Sequence, residues 1–307
     1  MPLFSVVIPT FDRANLVRRA IASVLAQTIE DFEIIVVDDG STDNTGEVVR
    51  AFGDPRIHLV RLTSNRGPAA ARNAGIGAAR GELISLLDSD DEYLPTFLER
   101  TRATLARTGP DVGFCWAGTQ KALASDVGGL HVDIARRRIW NPTFSSRHDA
   151  WRYCLTHDAP WGTNNGVTFK PFVFAKSGLF DETMRACEDD DILIRLTRHF
   201  DFAVIPECLV IVHDDAPQRV DGNPLNQANA WARMYRKYRE DIKGDPKAVR
   251  FFLTNIASRF RQSGQRWKAL SWVLRLIAKW PFDPSAYKLM VRYLTGLERA
   301  PIRIPRP

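Results

Sequence analysis

Three groups of carboxylates dominate the chemistry available to this 307-residue chain. Asp88, Asp90 and Asp91 follow the apolar run Leu83-Ile84-Ser85-Leu86-Leu87 directly, with Ser89 between the first two. Asp38 and Asp39 end a second apolar run, and Glu188-Asp189-Asp190-Asp191 opens a segment of helical periodicity. Like charges this close repel, and withdrawal from water makes them costlier. A cation removes the difficulty, and an all-oxygen site of this kind suits Mg2+ or Mn2+. Competing readings exist for each group. Residues 88–91 would serve as a solvated acidic turn, Asp38 and Asp39 as caps for the next helix, and the run at 188–191 as a favourably charged first helical turn. Four acids exceed what capping needs, which leaves a carboxylate for proton transfer.

These acids need strands to hold them. Strands are predicted over 4–8, 32–37, 57–62 and 83–87, the second rich in β-branched residues. Val17, Ala20, Ile21, Val24 and Leu25 recur at helical spacing and predict a helix over 14–27, with Asp12 as its N-cap. Further helices are expected through Val48, Val49 and Phe52, over 69–80, and from an N-terminus at Tyr93-Leu94-Pro95. Strand and helix alternate four times, which argues for an α/β protein with a parallel sheet covered on both faces. Ligands of such sheets bind beyond the carboxyl ends of the strands. Thr10-Phe11-Asp12, Asp38-Asp39 and Asp88 to Asp91 all fall at such ends, so three strand ends converge on one polar crevice. Gly75, Gly77 and Gly81 imitate a dinucleotide fingerprint, but the third glycine is one residue late and a helix-like run precedes them, which excludes a nicotinamide enzyme.

Beyond residue 105 the pattern loosens. A strand is expected over 111–117 and loops over 118–150, with Arg136-Arg137-Arg138 read as a solvated basic run. Trp161 opens a polar, glycine-containing stretch to Gly166 as an exposed-looking aromatic. An apolar stretch at 167–174, a turn at 178–182 and a helix from Glu188 follow. Two short strands are expected at 202–205 and 209–212, the second ending at His213. Residues 216–307 read as helical, with Lys268, Trp272, Arg275 and Lys279 on one helix face.

Composition is that of a soluble globular protein, 45% hydrophobic and 25% charged. No basic-then-apolar leader and no apolar run near the roughly 20 residues of a membrane span occur, which leads to the expectation of a cytoplasmic protein. Cys115, Cys154, Cys187 and Cys208 form no C-x-x-C pair and read as reduced structural thiols, not as a zinc site. The net charge of +6 hides an asymmetry: residues 1–215 hold 23 Lys and Arg against 30 Asp and Glu, residues 216–307 hold 19 against 6. Such a basic region meets anionic partners. No nucleic-acid motif accompanies it. Its aromatics read as the core of a helical extension, and the cation–tryptophan face offers, as the alternative, peripheral contact with an anionic membrane at its cytoplasmic side.

Together these segments resemble the family 2 glycosyltransferases. The resemblance covers about residues 3–215 and is carried by Pro9-Thr10-Phe11-Asp12-Arg13-Ala14, Val36-Val37-Asp38-Asp39-Gly40-Ser41-Thr42-Asp43, Arg72-Asn73 with Gly75, Leu87-Asp88-Ser89-Asp90-Asp91, and Glu188-Asp189 before Arg195-Leu196. It implies the GT-A fold, a mixed sheet flanked by helices, here with a C-terminal helical extension. It divides the chain into a nucleotide-sugar-binding half at 1–105, an acceptor-binding and catalytic half at 106–215, and a basic extension at 216–307. Pro9, Thr10, Phe11 and Asp12 would line the nucleoside pocket, Phe11 stacking on the base and Asp39 reading its edge, often uracil. Arg72 would organise the nucleotide side. Asp88-Ser89-Asp90 matches the D-x-D element, with Asp88 and Ser89 on the donor side or in the metal shell and Asp90 binding the Mn2+ or Mg2+ that bridges the diphosphate. Asp189 matches the catalytic base, with Asp190 as the alternative in register, and His213 resembles a histidine that helps hold metal or diphosphate in some members. The implied activity is inverting transfer from a UDP- or dTDP-linked sugar to a glycan or lipid-linked acceptor, in building cell-surface or secreted polysaccharide. The alternative is a non-catalytic, nucleotide-sugar-binding scaffold of the same fold.

Overall fold

The computed structural model describes residues 1–121, 144, 146–156, 165–213 and 223–295, so the basic run at 136–138 and Trp161 lie outside the described residues. Two compact units divide the chain, Met1–Cys154 with Asp158–Gln218 and Leu155–His157 with Arg219–Pro307.

The first unit is built on one eight-stranded sheet in the order β3-β2-β1-β4-β7-β6-β8-β5. Its parallel half comprises β1 (Phe4–Thr10), β2 (Phe32–Asp38), β3 (Ile57–Arg61) and β4 (Leu83–Leu86). Every residue of β2 and β4 is buried, as expected where both faces are covered and the strands read as continuous apolar runs. Helix α1 (Ala14–Leu25) turns Val17, Ala20, Ile21 and Val24 inward. After α2 (Thr45–Arg50), helix α3 (Pro68–Ala78) starts on a proline that lacks the N–H a first turn would leave unbonded. A Cβ on Gly75 would lie 2.3 Å from Val7 Cγ1, and one on Gly81 2.6 Å from the Ser5 nitrogen. These glycines let α3 and the following turn approach β1, so they serve packing and cradle no phosphate.

The other half of the sheet departs from the parallel expectation. β7 (Val167–Phe169) runs antiparallel to both β4 and β6 (Val112–Lys121). The apolar stretch at 167–174 therefore splits into a strand and the short helix α6 (Val173–Ser177). The two strands expected at 202–205 and 209–212 are one, β8 (Asp201–Val212). Its pairing with β6 skips from Ile205 to Cys208, because Pro206 has no N–H to give the ladder. β5 (Glu92–Tyr93) pairs with β8, so the helix expected at 93–95 begins later, as α4 (Phe97–Leu105). Helices α5 (Arg147–Cys154) and α7 (Glu188–His199) complete the unit.

The second unit contains α8 (Pro224–Ile242), α9 (Pro246–Gln262), α10 (Arg266–Lys279) and α11 (Pro284–Thr295). Asn223 and Asp245 each accept two backbone N–H bonds at a helix start, both followed by proline at the first helical position. Trp231 is fully buried, with the rings of Phe251 and Phe252 edge-on at 5.5 and 5.3 Å. Trp272 is also buried, 5.7 Å from the Tyr235 ring and with the Arg275 guanidinium 4.4 Å above it. The face of Lys268, Trp272, Arg275 and Lys279 is therefore no free aromatic surface: its tryptophan belongs to the core.

Candidate active site

Register brings the strand ends together: Thr10 lies opposite Asp38, and Val7 opposite Leu86. Asp12 follows β1 with a φ of 49°. Its N–H donates to Ser41 Oγ at 2.9 Å, and its carboxylate accepts the Thr42 N–H at 2.7 Å. Asp12 thus laces the loop after β1 to the loop after β2 and does not cap α1, whose N-cap position is Arg13 without a side-chain bond. Neither Asp38 nor Asp39 caps α2, which starts behind Asn44. Asp38 is buried and takes the Ser41 N–H at 2.8 Å. Asp39 receives the N–H groups of Arg66 and Gly67 at 2.8 and 2.7 Å, which holds the loop before α3. Burial raises its carboxyl above the ordinary value, against the lowering effect of those two bonds. Beside it the Thr10 hydroxyl is buried without a partner, Pro9 is half-buried, and Phe11 presents its ring with 36% exposure. An exposed aromatic ring at a strand end offers a flat face for stacking.

The second wall is the turn after β4. Carboxylate oxygens of Asp88, Asp90 and Asp91 lie within 4.8 Å of one another. Arg13 reaches Asp90 at 3.0 Å and Ser89 Oγ at 3.4 Å. Asn165 is fully buried; its carbonyl oxygen accepts the Asp88 N–H at 2.6 Å, and its amide donates to the carboxylates of both Asp88 and Asp91. Asp91 also accepts the His213 N–H at 2.9 Å. The His213 ring lies against Glu92, with Nε2 2.7 Å from its carboxylate, and is not among the clustered ligand atoms. Three convergent carboxylates and no sulfur make a donor set that fits a hard divalent cation such as Mg2+ or Mn2+.

Arg72 joins this wall to the third. Buried in α3, it donates to Asp88 at 2.7 Å and to Glu188 at 2.6 Å. These paired acids outweigh burial and hold the guanidinium firmly charged. Helix α7 starts immediately after Cys187, a left-handed residue at φ 57°. Of its four leading acids only Asp189 is not buried; Asp191 pairs with Arg195 at 2.9 Å. Surrounding protein still withdraws Asp189 from most water. That desolvation, with the charges of Glu188 and Asp88 and against that of Arg72, pushes its carboxyl up to about 7. A carboxylate tuned near neutrality is suited to take a proton.

The sequence reading thus found the acids and Arg72 but missed what holds them. Asn165 carries no charge and precedes Gly166 at φ 81°, so its only sequence signal is a turn. Glu188 was visible, yet not its bond to a residue 116 positions away.

Comparison with known proteins agrees with this geometry. The model of the family "Glycosyl transferase family 2" matches residues 5–163. The chain is 49% identical to the succinoglycan biosynthesis protein ExoO of Rhizobium meliloti over 100 residues, 33% of this chain and 29% of that protein. It is 27% identical over 276 residues to the putative colanic acid biosynthesis glycosyl transferase WcaA of Escherichia coli, covering 88% of this chain and 92% of the relative. Among solved structures, Staphylococcus aureus TarS 1-349 with UDP-GlcNAc superposes with a TM-score of 0.62 at 15% identity, covering 97% and 93% of the two chains. The mannosyltransferase PcManGT of Pyrobaculum calidifontis, with GDP-Man and Mn2+, gives 0.58 at 20%, covering 97% and 81%. The mixed sheet with its helices is therefore the GT-A fold of nucleotide-sugar enzymes. With more than half its length matched by that family model, the chain belongs to glycosyltransferase family 2.

Proposed function

We propose that the chain is an inverting, divalent-metal-dependent transferase. It moves a sugar from a uridine or thymidine diphosphate to a hydroxyl of a glycan or lipid-linked saccharide, in the synthesis of a surface or secreted polysaccharide. The observation that carries this reading is Arg72, whose single guanidinium joins the Asp88–Asp91 cluster to the helix start bearing Asp189. Relatives named for succinoglycan and colanic acid biosynthesis, and solved structures holding UDP-GlcNAc or GDP-Man with Mn2+, support it.

In this reading residues 1–105 bind the donor and 106–215 the acceptor. Phe11 offers its ring to the base and Asp39 an acceptor to the base's N–H edge. Asp88, Asp90 and Asp91 hold the cation, which when bound offsets the negative charge developing on the departing diphosphate. Ser89 and Asp88 face the donor side, and Arg72 balances the charge of Asp88 and Glu188. Asp189 accepts the proton of the acceptor hydroxyl. The freed oxygen forms its bond to the anomeric carbon as the carbon–oxygen bond to the diphosphate breaks on the opposite face, so configuration inverts. The electron pair leaves with the diphosphate oxygen. His213 acts through Glu92 and Asp91 at the edge of the cluster.

The experiment is nucleotide binding by calorimetry and sugar transfer, each with and without Mn2+, on the wild type and Asp189→Asn. Binding of a nucleoside diphosphate in the variant is retained, while transfer falls by about 10²–10⁴-fold. Because burial and the charges of Glu188 and Asp88 push the Asp189 carboxyl up to about 7 in the unliganded protein, wild-type kcat/KM falls as pH drops through that value and levels above it, and the variant's residual rate lacks this limb. Unchanged transfer in the variant removes Asp189 as base. Absence of binding by any nucleoside diphosphate with metal removes the donor site.

A further inference from the structure

The second unit keeps a surface that its own core does not use. On α10, Ala269, Val273 and Leu276 face inward. Trp267, Ser271, Leu274 and Ala278 fall at i, i+4, i+7 and i+11 and form one exposed stripe on the opposite side. Trp267 is 76% exposed and Leu274 55%. The turn that follows presents Phe282 at 95% exposure. On α11, Tyr287, Val291 and Leu294 repeat the pattern at i, i+4 and i+7, all exposed, while Ala286 and Tyr293 are buried. Large apolar side chains arranged in stripes are not the scattered exposure expected of an ordinary surface.

Charge identifies what would cover them. Residues 266–295 carry six cations, Arg266, Lys268, Arg275, Lys279, Lys288 and Arg292, against one acid, Asp283. That acid is consumed by Arg250 of α9 at 2.5 Å. On the helical wheel of α10, Lys268, Arg275 and Lys279 flank one side of the stripe and Arg266 the other. A second copy of this face would meet its own positive charge. A nucleic acid would complement the cations but would leave Leu274, Val291 and Leu294 in water. An anionic bilayer satisfies both, taking tryptophan and phenylalanine at the headgroup boundary and the cations at its phosphates.

We infer that the outward stripes of α10 and α11, with Phe282 between them, dock the protein on an anionic lipid bilayer. No helix among the described residues is long and apolar enough to cross a membrane, so this contact lies in the interface plane. The inference does not rest on the donor reading, since it concerns other residues and its readout is binding without transfer.

The test is sedimentation of the full chain with vesicles of phosphatidylcholine alone and of phosphatidylcholine with phosphatidylglycerol. Wild type cosediments with the anionic vesicles, not with the neutral ones, and is released as salt rises. The double substitution Trp267→Ser with Phe282→Ser lowers the partition coefficient by more than about tenfold. Lys279→Gln lowers it about fivefold. All these positions are exposed, and unchanged circular dichroism and nucleotide binding confirm that the variants are folded. Absence of binding to anionic vesicles overturns the inference, and so does equal binding by the double variant. Self-association that the double substitution abolishes, with no vesicle binding, would assign the face to a second copy and overturn it as well. Binding to single-stranded RNA that displaces the vesicles, and that the double variant retains, would do the same.

Discussion

At the scale of single residues, the site works through neutral and cationic partners as much as through its acids. Three carboxylates within 4.8 Å repel one another. Arg13 and Arg72 offset that repulsion. Asn165 does something neither arginine can: with its carbonyl on the Asp88 backbone and its amide on two carboxylates, it fixes the direction in which the cluster points. Asn165→Ala leaves a buried, uncapped Asp88 N–H and two less constrained carboxylates. The expected result is about a 10–100-fold rise in the Mn2+ concentration for half-maximal transfer, as for other groups that orient metal ligands. Nucleotide affinity in saturating Mn2+ stays near the wild-type value. A metal titration of transfer reads this directly, and an unchanged half-saturation point would make Asn165 a packing residue only.

At the scale of elements, the acids stand where they do because the strands carrying them are close and in register. Helix α3 is the most constrained of the helices, since it supplies Arg72 and seats Gly75 against Val7. Gly75→Val forces atoms into space already filled by Val7 and Val37. It is expected to cost about 1–3 kcal/mol in chemical denaturation and, by lifting Arg72 from Asp88, to lower transfer beyond what the lost stability explains. Legibility divides along the same line. The parallel half was visible in sequence because β2 and β4 are buried along their whole length and read as continuous apolar runs, and β1, β2 and β4 each end beside candidate site residues. The other half, where β7 and β5 run antiparallel to their neighbours and β6 pairs parallel with β8, was not. The three-residue strand β7 is too short for periodicity to distinguish it from the start of a helix, and Pro206 broke β8 into two apparent strands. The α10 face stayed open between core and surface for another reason: spacing shows which residues share a face, but not which face the neighbouring helices cover. Only packing shows that Trp272 is core and Trp267 is surface.

At the scale of the whole molecule, two kinds of surface are segregated along the chain. Acidic strand ends lie in the first unit, and a basic, aromatic-tipped surface lies in the second. Hydrogen exchange is expected to resolve them. UDP with Mn2+ slows exchange around residues 10–13, 39–41, 66–72 and 88–91 and leaves 224–295 unchanged, whereas anionic vesicles slow exchange within 266–295. Uniform protection by nucleotide over both ranges would contradict that separation. The antiparallel entry of β7 also sets a timetable for synthesis. A chain leaving the ribosome has β1 to β4 complete well before Asn165, 77 residues after Asp88, can engage it. Glu188 reaches Arg72 only after 116 residues have intervened. At about 5–20 residues per second the interval between Arg72 and Glu188 is roughly 6–23 s. From the synthesis of Asp91 until that of Asn165 the nascent chain carries its clustered acids without the asparagine, and until that of Glu188 without the glutamate, that complete their surroundings. A nascent chain held before residue 165 would therefore have its parallel strands to pair while its acid cluster still waited for Asn165, and the ability to bind a cation in the finished geometry would arrive late in translation.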